Sequence, residues 1–388
     1  MMKNPFQPRP EEGREEKPLP PSNPELPADA PVPLAVLSQW ELIRLRFAKH
    51  QLAVVSLHLI CLLYVMAIFA EFFAPYPSGS KEVAKIYCPP QLPMFSLEDG
   101  FYVNDLERQI DPVTFQSTYV KTEERVRLGF LVKGQPYELF GLIPMERRFF
   151  GAVDPEDRFY LLGADKFGRD IYSRIVFGAR VSLSIGIVSI IVTFVLGALI
   201  GGISGYVGGR TDNVIQRLIE IINSFPHLPL WLALAAVLPP DWSALATYFA
   251  ITIVLSLLGW TGLARVIRGK ILSLREEDYA VAARLIGAGH GRVIFRHLLP
   301  GFTSHIIVSL SLSVPGMILG ETALSFLGLG LRAPVVSWGV MLQDCLNIDV
   351  VANYPWLLMP VLFIVLTVLA FNFFGDGMRD AADPYSSR

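Results

Sequence analysis

Residues 51–74 read QLAVVSLHLICLLYVMAIFAEFFA. Up to Glu71 the run holds no acid, lysine or arginine. A helix needs about 20 apolar residues to cross a bilayer, and this run supplies them. Arg44, Arg46 and Lys49 stand just before it. Positive charge beside a first span favours the cytoplasmic side, so the chain is expected to start inside and emerge near Pro75. The composition agrees, with 52% hydrophobic and only 18% charged residues among 388. Soluble domains carry about a quarter charged residues. The net charge of -2 offers no basic field for nucleic acid.

Four regions follow from this start. Residues 1–38 are rich in Pro and Glu and lack an apolar signal-peptide core, so they read as a disordered cytoplasmic tail. Residues 39–75 carry the first span. Residues 76–177 are polar, with alternating runs at 117–120 and 126–130 and turn signals between, and read as a small external insertion with some β-structure. Residues 178–388 hold five more spans, expected at 181–203, 225–238, 245–263, 305–327 and 354–374. The span at 225–238 is short, contains Pro226 and Pro229, and has room to extend back over 214–222. The expected fold is therefore all-α and integral to the membrane, with six transmembrane helices and both termini cytoplasmic. Loops bearing Arg210 and Arg217, and Arg265 to Arg296, then fall inside, whereas the connection around Pro239 and Pro240 has no basic residue. Lys166, Arg169, Arg174 and Arg180 fall outside, which long external segments tolerate.

Gly197, Gly201, Gly205 and Gly209 recur every fourth residue inside an apolar run. That spacing makes a flat helix face for close helix packing. No catalytic constellation is present: no GxxxxGK[ST], HExxH or GxSxG pattern occurs, and no Cys/His cluster suits a metal. Gly287-Ala-Gly-His-Gly291 follows a helix rather than a strand, so it does not read as a nucleotide loop. Cys88 and Cys345 both fall outside on this topology, and a bridge or two free thiols stay open. Glu321 is an acid inside a span, read either as a pathway or gate residue or as a structural hydrogen-bonding group. Trp338 and Trp356 read as interfacial anchors, and Asp165, Arg169, Asp170 and Arg174 as ion pairs pinning the start of the second span.

The inner loop 265–303 carries the most information. Tyr279, Ala282, Ala283, Ile286 and Gly287 fall on one face of a short helix. Glu276, Glu277 and Asp278 precede it, where negative charge complements the helix dipole. Gly287 and Gly289 end it, and Arg292 and Arg296 follow before Pro300. A small-residue face suits docking into another protein; the arginines equally suit lipid headgroups.

The loop resembles the EAA loop of the membrane subunits of ABC importers. Ala282, Ala283, Gly287, Leu299 and Pro300 match it at the right spacing, with Val281 and His297 in place of its Glu and Ile. Those two departures, together with LGADKFGRDIYSR at 162–174, GMILGETALSFLGLG at 316–330 and GDGMRDAADP at 375–384, resemble the dipeptide/oligopeptide permease branch, C-type subunit. The resemblance implies a type I ABC importer permease fold. It implies a translocation subunit rather than an enzyme, in a bacterial inner membrane. Its partners would be a homologous second permease as a heterodimer, two ATPase subunits, an external solute-binding protein and membrane lipid. ATP and Mg would sit on the ATPases, with no cofactor on this chain. Tyr279, Ala282, Ala283, Arg284, Ile286, Gly287, Arg292, Arg296 and Pro300 would form the ATPase-coupling region. The implied cargo is a short peptide or similar polar oligomer. Alternatives are an oligosaccharide or opine importer of the same architecture, or a proton-coupled secondary transporter. The latter needs buried ionisable groups along several spans, and few are present.

Overall fold

The computed structural model describes residues 38–383, apart from 111 and 114–116. The expected tail, save Ser38, and Pro384 of the last motif lie outside the described residues. Ser38 and Glu41 form a reciprocal capping box: the Ser38 amide donates to the Glu41 carboxylate at 2.7 Å, and the Glu41 amide donates to the Ser38 hydroxyl at 3.4 Å. They open α1 (Gln39–Lys49). The first long apolar run becomes α2 (Gln51–Ile68), capped by the His50 ring, which accepts from the Ala53 amide at 3.2 Å. A single turn, α3 (Ala70–Phe73), follows.

The insertion is an antiparallel meander, β1 (Met94–Ser96), β2 (Gly100–Ile110), β3 (Ser117–Leu139) and β4 (Ile143–Ala152), in that order across the sheet. The two alternating runs seen in the sequence both lie in β3. Inward residues Val103, Val126, Leu128 and Ala152 close on Phe159 as a small core. That core is modest, and Arg148 supplements it. Its guanidinium is buried and donates to the carbonyls of Glu71 at 3.0 Å, Ala74 at 2.6 Å and Gln135 at 3.2 Å. It thus ties β4 to the end of α3, satisfying carbonyls that a helix end leaves open.

The remaining helices are α4 (Ile171–Val207), α5 (Gly209–Asn223), α6 (His227–Ala236), α7 (Ala244–Leu274), α8 (Asp278–Leu285), α9 (His290–Arg292), α10 (Thr303–Phe326), α11 (Trp338–Met341), α12 (Ile348–Asn353) and α13 (Met359–Ala382). Among the described residues, five helical stretches are long and apolar enough to cross a membrane: Gln51–Ile68, Ile171–Val207, Ala244–Leu274, His290–Phe326 and Pro355–Ala382. α5 and α6 add a sixth when the bent pair, kinked by 84°, is counted as one span. The short span expected at 225–238 thus reaches back over 214–222, and what the structure adds is the sharp bend between the two parts. α6 has 10 residues, about 15 Å of helix, too short to cross alone. Pro226 has no amide to continue the ladder of α5 and disfavours helical angles at Phe225, so the chain turns there.

The apolar residues sort into a core in which α2, α10 and α13 pack around α4, including Ile60, Leu63, Ile175, Leu183, Ile318 and Phe371. On another side of α4 lies α7. A Cβ on Gly197 would meet Leu263 at 2.9 Å, on Gly201 the Ala264 carbonyl oxygen at 2.5 Å, and on Gly205 the Arg268 carbonyl oxygen at 2.8 Å. The two backbones approach so closely because those three positions lack side chains. Gly209 stands apart from this contact: it begins α5 at φ +58 with open space around it.

Candidate functional site

The loop after α7 folds back on the ends of α4 and α7. Arg275 caps α7 and its guanidinium donates to the carbonyls of Gly205 at 3.2 Å and Tyr206 at 3.3 Å, at the C-terminal end of α4. A cation there complements the helix dipole. Arg284 donates to the Arg275 carbonyl at 3.1 Å and lies 3.8 Å from Glu276. The loop is thus stapled by arginine to the helix that it leaves.

α8 presents two unlike faces. Ala280 and Ala283 are buried against Ile267, Ile271, Val293, Ile294 and Leu298 of the same chain. Tyr279 and Ala282 face outward, and Leu285 and Ile286 are 83% and 85% exposed. The face expected from spacing is therefore rotated. Ala283 packs inward with Ala280, and Leu285, unremarked in the sequence, joins Ile286 as the outward apolar knob. The reason is that Ala280 and Ala283 pack against Val293, Ile294 and Leu298, and Gly287, at φ +87, ends the helix soon after. Arg292, Arg296 and Pro300 are all exposed beyond it. The segment continues as α9, a π-helical turn over Val293–Leu298 and a 3-10 turn over Leu299–Phe302, which carries Pro300.

Two charged clusters lock the helix bundle. Asp212 of α5 is buried, and Arg268 of α7 grips both its oxygens, at 2.5 Å and 2.6 Å. The Ser204 hydroxyl of α4 donates to the same carboxylate at 2.5 Å. This three-helix junction carries no local sequence signal, since Arg268 lies 56 residues beyond Asp212 in the chain. At the other end, Asp165 receives Arg169 at 2.7 Å and Arg174 at 2.6 Å. Asp170 has a different role from the expected ion pair. It caps α4, accepting from the Ser173 amide at 2.7 Å. Burial outweighs that amide and pushes its carboxyl up to about 6.

Glu321 of α10 is fully buried. The Ser182 hydroxyl of α4 donates to one carboxylate oxygen at 3.2 Å and the Ser325 hydroxyl to the other at 2.8 Å. Ser182 also accepts from the Trp338 amide at 3.2 Å, and Ser325 from the Leu331 amide at 3.0 Å. Glu321 thereby joins α4, α10 and the short α11. Trp338, expected as an interfacial anchor, is wholly buried and donates from its ring nitrogen to the Ile175 carbonyl at 3.0 Å. Trp338 corrects the sequence reading; its indole N–H found a carbonyl inside rather than a headgroup. Trp356 is half-buried and donates to the Ala164 carbonyl at 3.1 Å. Cys88 and Cys345 are free thiols, set toward the carbonyls of Pro89 and Leu357. Among the described residues no group of His, Cys, Asp and Glu is arranged to hold a metal ion.

Comparison with known proteins fits this architecture. Residues 197–387 match the family described as binding-protein-dependent transport system inner membrane component. Residues 38–90 match the N-terminal TM domain of oligopeptide transport permease C. The β-sheet lies between these two ranges. The chain is 33% identical over 349 residues to the oligopeptide transport system permease protein OppC of Bacillus subtilis, covering 90% of each chain. It is 40% identical over 230 residues to that organism's dipeptide transport system permease protein DppC, covering 59% of this chain and 70% of that one. It is also 39% identical over 223 residues to the glutathione transport system permease protein GsiD of Pectobacterium atrosepticum, 58% of this chain and 72% of that one. A multi-pass membrane chain with these matches belongs to the binding-protein-dependent transport permease family, in its oligopeptide and dipeptide C-type branch.

Proposed function

We propose that this chain is one half of the pore of an ATP-driven importer, paired with a homologous second permease and moving short peptides or similar polar oligomers by alternating access. Support for the cargo class comes from the relatives named for dipeptide, oligopeptide and glutathione transport. The chain itself binds no nucleotide in this reading; two partner ATPases carry ATP and Mg, and a solute-binding protein delivers cargo to the β-sheet side. Both termini, with the tail 1–38, lie on the cytoplasmic side, with residues 39–75 leading through the first span. The insertion 76–177 is external, and 178–388 is the permease core with the coupling loop 265–303.

The observation that carries the coupling assignment is the outward knob of α8. Leu285 and Ile286 are large apolar residues left in the open at a helix end, beside Tyr279 and Ala282, on a helix whose other face is buried. Exposed apolar patches on such a frame mark interaction surfaces. An ATPase cleft would take the knob, and the buried Ala280 and Ala283 would pass its displacement to α7 and the π-helical turn. Arg284, Arg292 and Arg296 would surround the seat, and Gly287 and Pro300 would set where the loop turns. Glu321 would act at the outer gate by holding α11 to α4 and α10.

The test is co-purification from cells expressing all subunits together. Ile286→Asp should leave this chain inserted but lose the ATPases and tripeptide uptake into vesicles. Full retention of both would remove α8 as the coupling helix and favour a headgroup-binding loop. Mass spectrometry of the small molecule carried by the co-purified binding protein would test the cargo class; a sugar there would favour the oligosaccharide alternative.

A further inference from the structure

The turn between β3 and β4 reads Leu139-Phe140-Gly141-Leu142-Ile143. Turn tips favour Gly, Asn, Asp and Ser, and loops face water. This tip instead carries four large apolar residues, with the nearest charges at Glu138 and Glu146. Leu142 is 82% exposed, and Phe140 and Ile143 are each more than half exposed. The apolar choice also opposes the backbone. Phe140 and Gly141 have φ of 56 and 67, the left-handed region in which a β-carbon is penalised and Asn or Gly serves a hairpin with less strain.

The position of the tip gives the choice a reason. The Phe140 ring packs on that of Phe69 with centroids 5.6 Å apart. Phe69 is the cap residue of α2. α2 exposes one stripe along its length, through Val55, Leu62, Val65 and Phe69, the apolar surface of a membrane-crossing helix. The tip therefore continues that stripe at the level where α2 ends. Beside it the Glu71–Arg180 ion pair, at 2.6 Å, begins the polar zone. Phe149 meets Phe72 and Phe73 at 5.9 Å and 5.2 Å, adding rings at the same level. Aromatic rings gather at the membrane–water boundary.

We propose that the β3–β4 tip is a membrane anchor, its Phe140, Leu142 and Ile143 side chains seated among lipid in the leaflet that meets the C-terminal end of α2. Lipid is the occupant that the geometry favours because the tip prolongs the exposed apolar stripe of a helix long and apolar enough to cross a membrane, at the level where that helix ends. With the Arg148 clasp midway along β4, this seating fixes the orientation of the sheet over the membrane.

The experiment places a nitroxide at Leu142→Cys, with Cys61 and Cys345 replaced by alanine and buried Cys88 left in place. The full chain, together with the subunits that co-purify with it, is reconstituted in phosphatidylethanolamine and phosphatidylglycerol vesicles. Collision rates with oxygen and with a water-soluble nickel chelate are compared with those at Glu123→Cys, an exposed site on β3. The expected oxygen-to-nickel ratio at residue 142 is several-fold above that at residue 123. A ratio equal to that at 123 overturns the proposal, and shielding from both reagents overturns it as well, since protein would then cover the tip. Ile143→Cys repeats the measurement in case one label perturbs the turn.

Discussion

The Ser182 hydroxyl donates to Glu321 across 3.2 Å while accepting from the Trp338 amide, so one buried carboxylate holds three separate elements together. Glu321→Ala leaves two buried hydroxyls without their acceptor and opens a hole. A loss of about 2–4 kcal/mol is expected, seen as a lower melting temperature in detergent. Glu321→Gln keeps the shape and should lose much less. If Glu321→Gln assembles and melts normally yet stops uptake, the residue acts in the pathway itself rather than as a tie.

The α4–α7 contact predicts an ordered series. Gly201→Ala drives a Cβ into the Ala264 backbone, which cannot swing aside, and should cost about 1–3 kcal/mol. Gly197→Ala meets the Leu263 side chain rather than backbone, at 2.9 Å from a Cδ that can swing aside, and should cost less. Equal melting temperatures for the two variants would contradict the close approach.

Asp170 gives a pH signature. Its carboxyl sits at about 6 when folded because it is buried, and near 4 when unfolded. Between those values the unfolded chain gives up a proton that the folded chain keeps. This contribution is fully present below about pH 4 and is lost as pH rises through about 6, a swing of roughly 3 kcal/mol. Asp170→Asn keeps a capping side chain and should abolish that slope. Melting curves of both proteins between pH 4 and 7 decide it; parallel curves would refute the assignment.

Arg148 clasps the sheet to α3 by three carbonyls. Arg148→Lys cannot reach all three from a single ammonium group and should loosen the hairpin. Limited proteolysis should then cut β3 or β4 faster while the helices stay protected. Unchanged cleavage would show that strand pairing alone holds the sheet.

At the coupling loop, Gly287→Arg is a poor probe, because φ at +87 strains any side chain and distorts the loop by itself. Leu285→Asp and Ile286→Asp lie in open space and should weaken ATPase co-purification at least tenfold without changing the melting temperature of this chain. A fall in melting temperature instead would mean that the knob packs within the chain.

The membrane-crossing runs were legible because about 20 apolar residues in a row have few other solutions in water or lipid. The α4 glycine stripe and the small-residue loop helix were legible for a similar reason: spacing along a helix fixes which side chains share a face. Strand content in the insertion showed in its alternation, though not its meander order. Spacing did not reveal that α8 stops at Gly287 and turns Ala283 inward, since the helix rotates to bury Ala280 against Val293 and Leu298. Nor did it reveal the 84° break at Pro226, the Asp212–Arg268 grip or the burial of Trp338. The sequence alone determined which segments enter the bilayer, because transfer free energy is a local sum. Only the tertiary structure decided which polar groups meet inside it, because a buried charge or indole N–H takes whichever partner the packed helices bring within hydrogen-bonding distance.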